Sequence, residues 1–156
     1  MTIPLVTTTR GAFLCEGKSP SGCPLYITSV RSSVISAKQF LRADTIVVAA
    51  PHWDLSFPAT LKQYFEQINV VGLTFFYADS DVPTTLCRAK RLIYTATAGG
   101  PVRSHDFGFG YVKALGAEFY GIADAVLFCA EGLDIVGADA EAILEKVEAE
   151  IDRALR

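Results

Sequence analysis

The fold is decided by the stretch Asp44-Thr-Ile-Val-Val-Ala-Ala-Pro-His-Trp-Asp-Leu55, which Ser56-Phe-Pro58 follows. Its first half is a short apolar run rich in β-branched residues, which predicts a strand from Thr45 to Ala50 that is buried on both faces. Its second half, Pro51 to Leu55, combines aromatic, acidic and imidazole groups in a turn before a predicted helix. Ligands of open parallel sheets bind outside the carboxyl ends of the strands. The turn is therefore a candidate binding site, with a plain strand-to-helix connection as the alternative.

Apolar residues at helical spacing flank this stretch on both sides. Upstream, a helix is predicted from Ser29 to Ala43. Downstream, a second helix begins near Pro58, because the missing N–H of proline costs nothing in a first turn, and it ends at Gly72. The apolar positions that indicate these helices are Val34, Ala37, Phe40 and Leu41 in the first, and Leu61, Tyr64, Phe65 and Ile68 in the second.

The rest of the chain continues this alternation of strands and helices. We expect a small excursion from Leu73 to Tyr77 and back from Val82 to Leu86, then core strands at Arg91 to Ala96 and Ala125 to Ala130. Further helices are predicted at Tyr111 to Phe119 and from Asp139, a good N-cap residue, with Ala140, Ile143, Leu144, Val147, Ile151 and Leu155 as the buried stripe of the last helix. This order predicts an α/β fold, a doubly wound parallel sheet in three layers.

The amino-terminal region has no clear period. Prolines and glycines interrupt residues 1–26, so we expect an irregular arm, with a short strand possible at Ile3 to Val6. At 156 residues, the whole chain (1–156) reads as a single domain.

Composition excludes several classes of function. The chain is 51% hydrophobic and 20% charged with a formal net charge of -3, and no basic run interleaves with aromatic residues as a nucleic-acid groove requires. No apolar run is long enough to cross a membrane, and the first residues lack the pattern of a secretory leader, so we expect a cytoplasmic protein. Cys87 and Cys129 should behave as small hydrophobic residues, whereas Cys15 and Cys23 could meet but are not expected to form a disulfide or a metal site in a reducing compartment.

Three stretches together carry a resemblance to a known family. Asp44 to Phe65 resembles the Ala-Pro-x-Trp/Tyr-Asn-x-Ser-x-Pro-x-x-Leu-Lys segment of the flavodoxin-like FMN-dependent NADH azoreductases and quinone reductases. Gly72-Leu-Thr-Phe-Phe-Tyr77 is similar to that family's Gly-Val/Ile-Thr-Phe-x-Tyr, and Lys90 to Gly100 to its strand ending in Ser/Thr-Arg-Gly-Gly. The similarity extends over roughly residues 30–152, including Tyr111, Gly121 to Asp124 and Ala130 to Asp134.

The resemblance implies an oxidoreductase that binds FMN, takes hydride from NADH onto flavin N5 and then reduces a quinone or azo compound in a ping-pong reaction. It also implies a homodimer with each flavin at the subunit interface. The flavin carries the redox chemistry, so no catalytic side chain is expected from the protein. A His52–Asp54 acid/base pair is the alternative for this turn.

Carried over position by position, the resemblance assigns His52, Trp53, Asp54 and Leu55 to the first flavin-contacting turn. Trp53 would pack beside the ring system, and the backbone N–H groups of Asp54 and Leu55 would point toward its polar edge. The second loop, Thr97, Ala98, Gly99 and Gly100, would meet the pyrimidine end with its backbone, because adjacent glycines allow close approach to a ligand or positive φ. Tyr77 and Phe119, with Phe75 less directly, would line the substrate site, unless these aromatic residues only pack in the core.

The sequence departs from the family pattern at three places. Asp54 stands where the family has Asn, and Ala98 where it often has Arg, so both changes oppose reduction of a bound flavin. The family's first strand and Ser-rich phosphate loop have no counterpart upstream of the matched region, where Thr7-Thr-Thr-Arg-Gly11 is the possible substitute. A dimer partner, a separately encoded piece or a rearranged arm would then cover the sheet.

Two other functions compete with the flavin reductase. A shortened relative could keep the scaffold as a weakly active or inactive subunit or binding module. An α/β hydrolytic or nucleotide-binding enzyme is disfavoured, because the chain has neither a Gly-x-Ser-x-Gly motif nor a P-loop.

Overall fold

The computed structural model describes the backbone of residues 5–8, 11–12, 25–78, 81–102 and 106–156, and side chains from residue 34 onward within these ranges. Cys15 and Cys23 lie outside the described residues. None of the helices in the described ranges has both the length and the apolar character that a membrane crossing needs.

The described chain forms seven strands and four helices. The strands are β1 (Leu5–Thr8), β2 (Gly11–Ala12), β3 (Thr45–Ala49), β4 (Phe75–Tyr77), β5 (Pro83–Thr85), β6 (Arg91–Thr97) and β7 (Asp124–Ala130). The helices are α1 (Leu25–Arg42), α2 (Ala59–Ile68), α3 (Phe109–Tyr120) and α4 (Ala140–Leu155). The order from α1 onward confirms the predicted alternation, although α1 begins earlier than predicted and α2 ends before Asn69 rather than at Gly72.

The main sheet has the order β2-β1-β3-β6-β7, and β4 pairs with β5 in a separate hairpin. The three predicted core strands are parallel, with Ile46 opposite Leu92 and Leu92 opposite Ala125. Helices connect consecutive members of this parallel set, which confirms the α/β fold class. The carboxyl ends of β3, β6 and β7 therefore lie together at one edge of the sheet.

The amino-terminal arm contains more regular structure than the sequence predicted. β1 pairs antiparallel with β3, with Leu5 opposite Ala49 and Thr8 opposite Ile46, and β2 returns along β1. Because β1 runs against β3, its end at Thr8 lies beside the start of β3, at the amino edge of the parallel strands. The predicted substitute phosphate loop, Thr7 to Gly11, thus starts and ends at the edge opposite the predicted flavin turn.

One face of the sheet holds the main core. Side chains that alternate toward α1, α2 and α3 are almost fully buried, because three helices cover them. The largest side chains of this cluster are at most 2% exposed. They are Phe40, Ile46, Val48, Leu61, Phe65, Ile68, Leu92, Tyr94, Val112, Tyr120 and Ile122. The buried stripes predicted for α1 and α2 are confirmed at Ala37, Phe40, Leu61, Phe65 and Ile68.

The opposite face is only half covered within the described chain. There α4 packs against β7, and Ile93 and Phe128 are buried, whereas Val47 on β3 stays partly exposed. The prediction that α4 buries a full apolar stripe is wrong: no residue of α4 is buried, and Leu144 and Leu155 are 40% and 57% exposed. A single helix over this face has too few neighbours to enclose its own stripe.

Side-chain hydrogen bonds fix the excursion between α2 and β6. The buried hydroxyl of Thr74 donates to the carbonyl of Ile68 at 2.8 Å, and the hydroxyl of Tyr120 donates to Oδ1 of Asn69 at 2.6 Å. Both bonds tie the β4–β5 hairpin and the end of α3 to the end of α2, at the amino edge of the sheet.

Candidate functional site

The structure brings the two predicted loops together at the carboxyl edge. The backbone N–H of Ala50 donates to Thr95 at 3.0 Å, and that of His52 donates to Thr97 at 2.8 Å. Pairing between β3 and β6 thus continues beyond the last residue of β3, and it holds the turn after β3 beside the loop after β6. The sequence prediction that Pro51 to Leu55 lies at the end of a central strand is confirmed.

The turn after β3 is a tight hairpin turn. Trp53 and Ser56 exchange both backbone hydrogen bonds, at 2.9 and 2.8 Å, around Asp54 with φ 49° and Leu55 with φ 69°. Two successive residues with positive φ define a type I′ turn, which suits Asn and Asp but strains a leucine. The N–H groups of Asp54 and Leu55 donate to no described residue, so this strained turn presents two amides outward.

The loop after β6 is held by the segment after β7. Ala98 donates to Ala130 and accepts from Leu133, and the carbonyl of Gly99 accepts from Asp134 at 2.9 Å. Ala98 is 4% exposed, and both of its backbone groups are already paired. Of the predicted loop residues, Thr97 and Gly100 are exposed, and the N–H groups of Gly99 and Gly100 have no partner among the described residues.

The prediction of positive φ at the two glycines is wrong, and Gly99 is packed against another residue of the chain. Neither has positive φ. A Cβ on Gly99 would collide with the carboxylate of Asp134, whereas a Cβ on Gly100 would meet nothing. The close approach of Asp134 to the backbone is therefore what requires a glycine at position 99. Glu131 holds the far end of the loop, because it accepts a hydrogen bond from the N–H of Val102 at 2.9 Å.

His52 faces Asp106, a residue that the sequence analysis missed. Nδ1 of His52 lies 3.9 Å from Oδ1 of Asp106, and the two side chains are 16% and 22% exposed. The same oxygen accepts from the N–H groups of Gly108 and Phe109 at 2.7 and 3.1 Å, so Asp106 caps the start of α3. An aspartate just before a predicted helix was the available signal. The structure pairs His52 with this cap and records no pairing with Asp54.

The segment that starts α3 also touches the turn. The N–H of Phe107 donates to the carbonyl of Leu55 at 2.8 Å, and the hydroxyl of Ser56 donates to the carbonyl of Phe107 at 3.3 Å. Between these segments and α2 lies an open cleft of about 820 Å³. Its lining includes four aromatic residues, two carboxylates and one ammonium group: Trp53, Phe57, Phe107, Tyr111, Asp54, Asp106 and Lys62.

The charges of this cleft are unequally compensated. Nζ of Lys62 lies 2.8 Å from Oε1 of Glu66 and 5.3 Å from the centre of the Tyr111 ring. The hydrogen bond to Glu66, followed by the one to Tyr111, raises the pKa of Lys62 above its ordinary 10.5. The ammonium group of Lys62 is therefore paired with a carboxylate of its own helix, α2. Asp54, in contrast, is exposed and has no partner among the described residues.

The titratable groups behind the edge stay neutral near pH 7. Burial, followed by the charges of Glu131 and Asp106, raises the pKa of Cys129 to about 11. Burial likewise raises the pKa of Tyr94, which pairs with Leu127, two residues before Cys129 on β7. Neither is ionised for nucleophilic attack at neutral pH. These two groups are therefore not expected to attack a ligand, and the edge offers it backbone N–H groups and aromatic surfaces.

The predicted substrate residues lie elsewhere in the same chain. Phe75 contacts both Tyr77 and Phe119, with ring centres 5.5 and 4.9 Å apart. Phe119 stands near the end of α3, and ten residues of helix span roughly 15 Å, so this aromatic cluster is far from the start of α3 at the cleft. A single chain thus places the two predicted loops side by side, namely His52, Trp53, Asp54 and Leu55 next to Thr97, Ala98, Gly99 and Gly100. It does not bring Tyr77 and Phe119 close to these loops.

Comparisons with known proteins agree with this architecture. A family model described as flavodoxin-like fold matches residues 28–155. An FMN-dependent NADH:quinone oxidoreductase from Clostridium acetobutylicum is 41% identical over 113 residues, which are 69% of this chain and 56% of that protein. One from Lachnoclostridium phytofermentans is 40% identical over 108 residues, covering 68% of this chain and 54% of that protein.

A solved structure is also similar. The azoreductase from Bacillus anthracis superposes with a TM-score of 0.70 at 26% identity, over 82% of this chain and 63% of that one. In each comparison the present chain spans only part of its relative, a little over half in the case of the two quinone oxidoreductases.

Proposed function

Because the chain belongs to the family with the flavodoxin-like fold, whose model matches residues 28–155, we propose that it is an FMN-dependent oxidoreductase. In this proposal, NADH is the electron donor, and a quinone or azo compound is the acceptor. The observation that carries the proposal is the hydrogen bond from His52 to Thr97. It joins the turn and the glycine loop at one edge, in a chain that is 41% identical to an FMN-dependent NADH:quinone oxidoreductase.

The residues at this edge fit the ring of a flavin. Two outward N–H groups at Asp54 and Leu55, and two more at Gly99 and Gly100, can donate to the polar edge of an isoalloxazine. Trp53, 48% exposed, supplies an aromatic surface beside it. When bound, FMN would supply the hydride chemistry, accepting at N5 and passing two electrons on in a ping-pong cycle. The protein's own contribution is to bind and orient both reactants.

The described residues fit the ring better than the phosphate. A phosphate site needs N–H groups and hydroxyls at the start of a helix next to the ring. The backbone of β1 instead leads Thr7 and Thr8 toward the amino edge, away from this turn. The phosphate of FMN would therefore be held by parts of the protein other than β1 and β2.

The separate aromatic cluster supports a homodimer as part of the proposal. Tyr77 is 51% exposed on the β4–β5 hairpin and lies with Phe119 at the amino edge. A partner subunit could place these two residues against the site of the first chain, with each flavin at the interface. We further propose a cytoplasmic location, in keeping with an NADH-dependent enzyme.

Titration with FMN tests the function directly. We expect saturable heat release and a shifted flavin absorption band, followed by bleaching of that band when NADH is added without oxygen and its return when a quinone is added. Substitution of Gly99 by Val should weaken FMN binding at least tenfold, whereas Gly100→Ala should bind normally, because only Gly99 is packed against Asp134. A folded chain that neither binds FMN nor oxidises NADH would refute the proposal.

The course of the described arm favours a second function. Neither β1 nor β2 leads to a helix start for a phosphate near the turn. A weakly active or inactive subunit or binding module would fit this course. It predicts folded protein that shows weak or absent FMN binding alone, and gel filtration with a relative's isolated amino-terminal unit would then show a complex.

Asp54 adds an electrostatic element to the proposed function. It stands where the resemblance has Asn, and its negative charge beside the ring should oppose formation of an anionic reduced flavin. Asp54→Asn should raise the reduction potential of bound FMN, measured by dye equilibration. An unchanged potential would place the carboxylate away from the ring.

A further inference from the structure

The cleft beside the turn has the walls of a site for a planar ring. Trp53 and Phe107 stand at its rim, 48% and 58% exposed, while Phe57 and Tyr111 lie deeper with ring centres 5.7 Å apart. Large aromatic surfaces are costly to leave in water and gain by stacking on a flat partner. The volume of about 820 Å³ is in the range of small-molecule sites.

The two carboxylates of this cleft differ in how much of their charge is available. Asp106 accepts two N–H groups at the start of α3 and faces His52, so the helix end offsets its charge. Asp54 has no such compensation from any described residue, and its backbone, at φ 49°, is fixed by the hairpin turn. The available negative charge of the cleft is therefore that of Asp54.

Among the lining residues that the structure describes, only Lys62 carries an ammonium group, and it does not neutralise this charge. Lys62 is bound to Glu66, one turn further along α2, and lies over the ring of Tyr111. Its positive charge is matched by a carboxylate on the same helix. In its described lining, the aromatic cleft thus combines accessible ring faces with an excess of negative charge.

We propose that this cleft selects the electron acceptor by charge: planar aromatic compounds that are cationic or uncharged enter, and those carrying a sulfonate or carboxylate are excluded. A cation over an aromatic face is attracted by the ring, and a carboxylate at the rim adds to that attraction. An anion in the same place meets Asp54, and no unpaired cation of the described lining compensates for that charge. That the bound compound accepts electrons rests on the proposed function. The preference for its charge depends only on the residues of the cleft.

A matched pair of probes tests the preference without flavin or NADH. N-methylquinolinium and a quinolinesulfonate share one planar ring system and differ in charge. Equilibrium dialysis against the full chain at low salt should give binding of the cation that is about five- to twentyfold tighter than that of the anion, the size expected for one partly exposed charge at the site. Raising the salt to about 0.5 M should shrink this ratio.

Two charge-removing variants locate the effect. Asp54→Asn should bring the ratio close to unity by weakening the cation and strengthening the anion. Asp152→Asn, on the exposed side of α4 and remote from the cleft, should leave it unchanged. Equal or tighter binding of the anion by the native chain, absence of binding by either probe, or a ratio that survives Asp54→Asn would each overturn the proposal.

Turnover separates this inference from the proposed function. In protein that binds FMN, a cationic quinone should be reduced with a lower KM than a sulfonated one. If the chain shows no flavin chemistry but keeps the probe preference, the reductase proposal fails and the charge-selective cleft stands. If the enzyme reduces both quinones with equal KM and the probes show no preference, the reductase proposal stands and the charge-selective cleft is refuted.

Discussion

The two loops at the carboxyl edge keep their shapes in opposite ways. The turn after β3 is held mainly by bonds between its own residues, Trp53 and Ser56, and accepts positive φ at two positions in between. The loop after β6 has no positive φ and is held by a distant segment, Glu131 to Asp134. Strain stored locally and support supplied remotely are two physical routes to the same result, namely two loops fixed side by side at one edge of the sheet.

The largest effect is expected where remote support can be broken. Gly99→Val would place a branched side chain on the carboxylate of Asp134, and overpacking of this kind costs roughly 2 kcal/mol of unfolding free energy. Urea unfolding measures the loss, with Gly100→Ala as the control that should stay within about 0.5 kcal/mol. Adding Asp134→Gly to the Gly99→Val chain should restore part of the stability. A double variant no more stable than Gly99→Val would show that Asp134 is not the obstacle.

The next effect concerns the cap that joins the turn to α3. Asp106→Ala removes the acceptor of two N–H groups and should cost about 1 to 2 kcal/mol. Asp106→Asn keeps an oxygen acceptor and should lose much less. Thermal unfolding of the two variants checks the difference, and equal losses would mean that the charge toward His52, rather than the cap, supplies the stability.

Relief of the strain in the first loop should stabilise the protein. Leu55 has φ 69°, a conformation that costs an L residue about 1 kcal/mol and glycine almost nothing. Leu55→Gly is therefore expected to raise the free energy of unfolding by up to about 1 kcal/mol, while Leu55→Ala, which keeps the strain, should not. The midpoint of a urea titration is sufficient to compare them. A less stable glycine variant would mean that the exposed leucine side chain makes contacts that outweigh the strain.

The smallest effect is expected from Glu131→Gln, which tests the electrostatics of Cys129 beneath the second loop. With a pKa of about 11 instead of 9.0, Cys129 should be alkylated about a hundredfold more slowly at pH 8 than an ordinary thiol, and its rate should rise tenfold per pH unit until near pH 11. Glu131→Gln removes a negative charge and should lower this pKa by a fraction of a unit. Rates are followed at Cys129 by peptide mass mapping. A pH profile that does not respond to Glu131→Gln would place the carboxylate too far from the thiol to matter.

Local signals in the sequence were sufficient for the scaffold and for the position of the first loop. The run Thr45 to Ala50, the helical spacing of Leu61, Phe65 and Ile68, and the cap at Asp139 each depend on neighbours within a few residues, and each is present in the structure. The successive positive φ values of Asp54 and Leu55 were not predicted, because that pattern usually requires Asn or Gly.

Contacts between distant residues account for what the sequence could not predict. The approach of Asp134 to Gly99 and that of Asp106 to His52 join segments more than thirty residues apart, and no periodicity reports such pairs. The helix α4 is amphipathic as predicted, but burial of its apolar stripe depends on what else covers that face of the sheet, and there the described chain supplies a single helix. The antiparallel course of β1 has the same origin, because strand direction depends on partners and not on composition.

Trp53 is the chain's only tryptophan, and it stands half-exposed in the turn after β3, whereas the core residues Phe40 and Phe65 are buried. Its fluorescence will therefore report the hydration of the turn after β3, and ligands that stack there should change its emission. In denaturant, a signal from this residue should follow opening of the turn, whereas circular dichroism follows the helices. If the two probes give different midpoints, the strained turn opens before the sheet does.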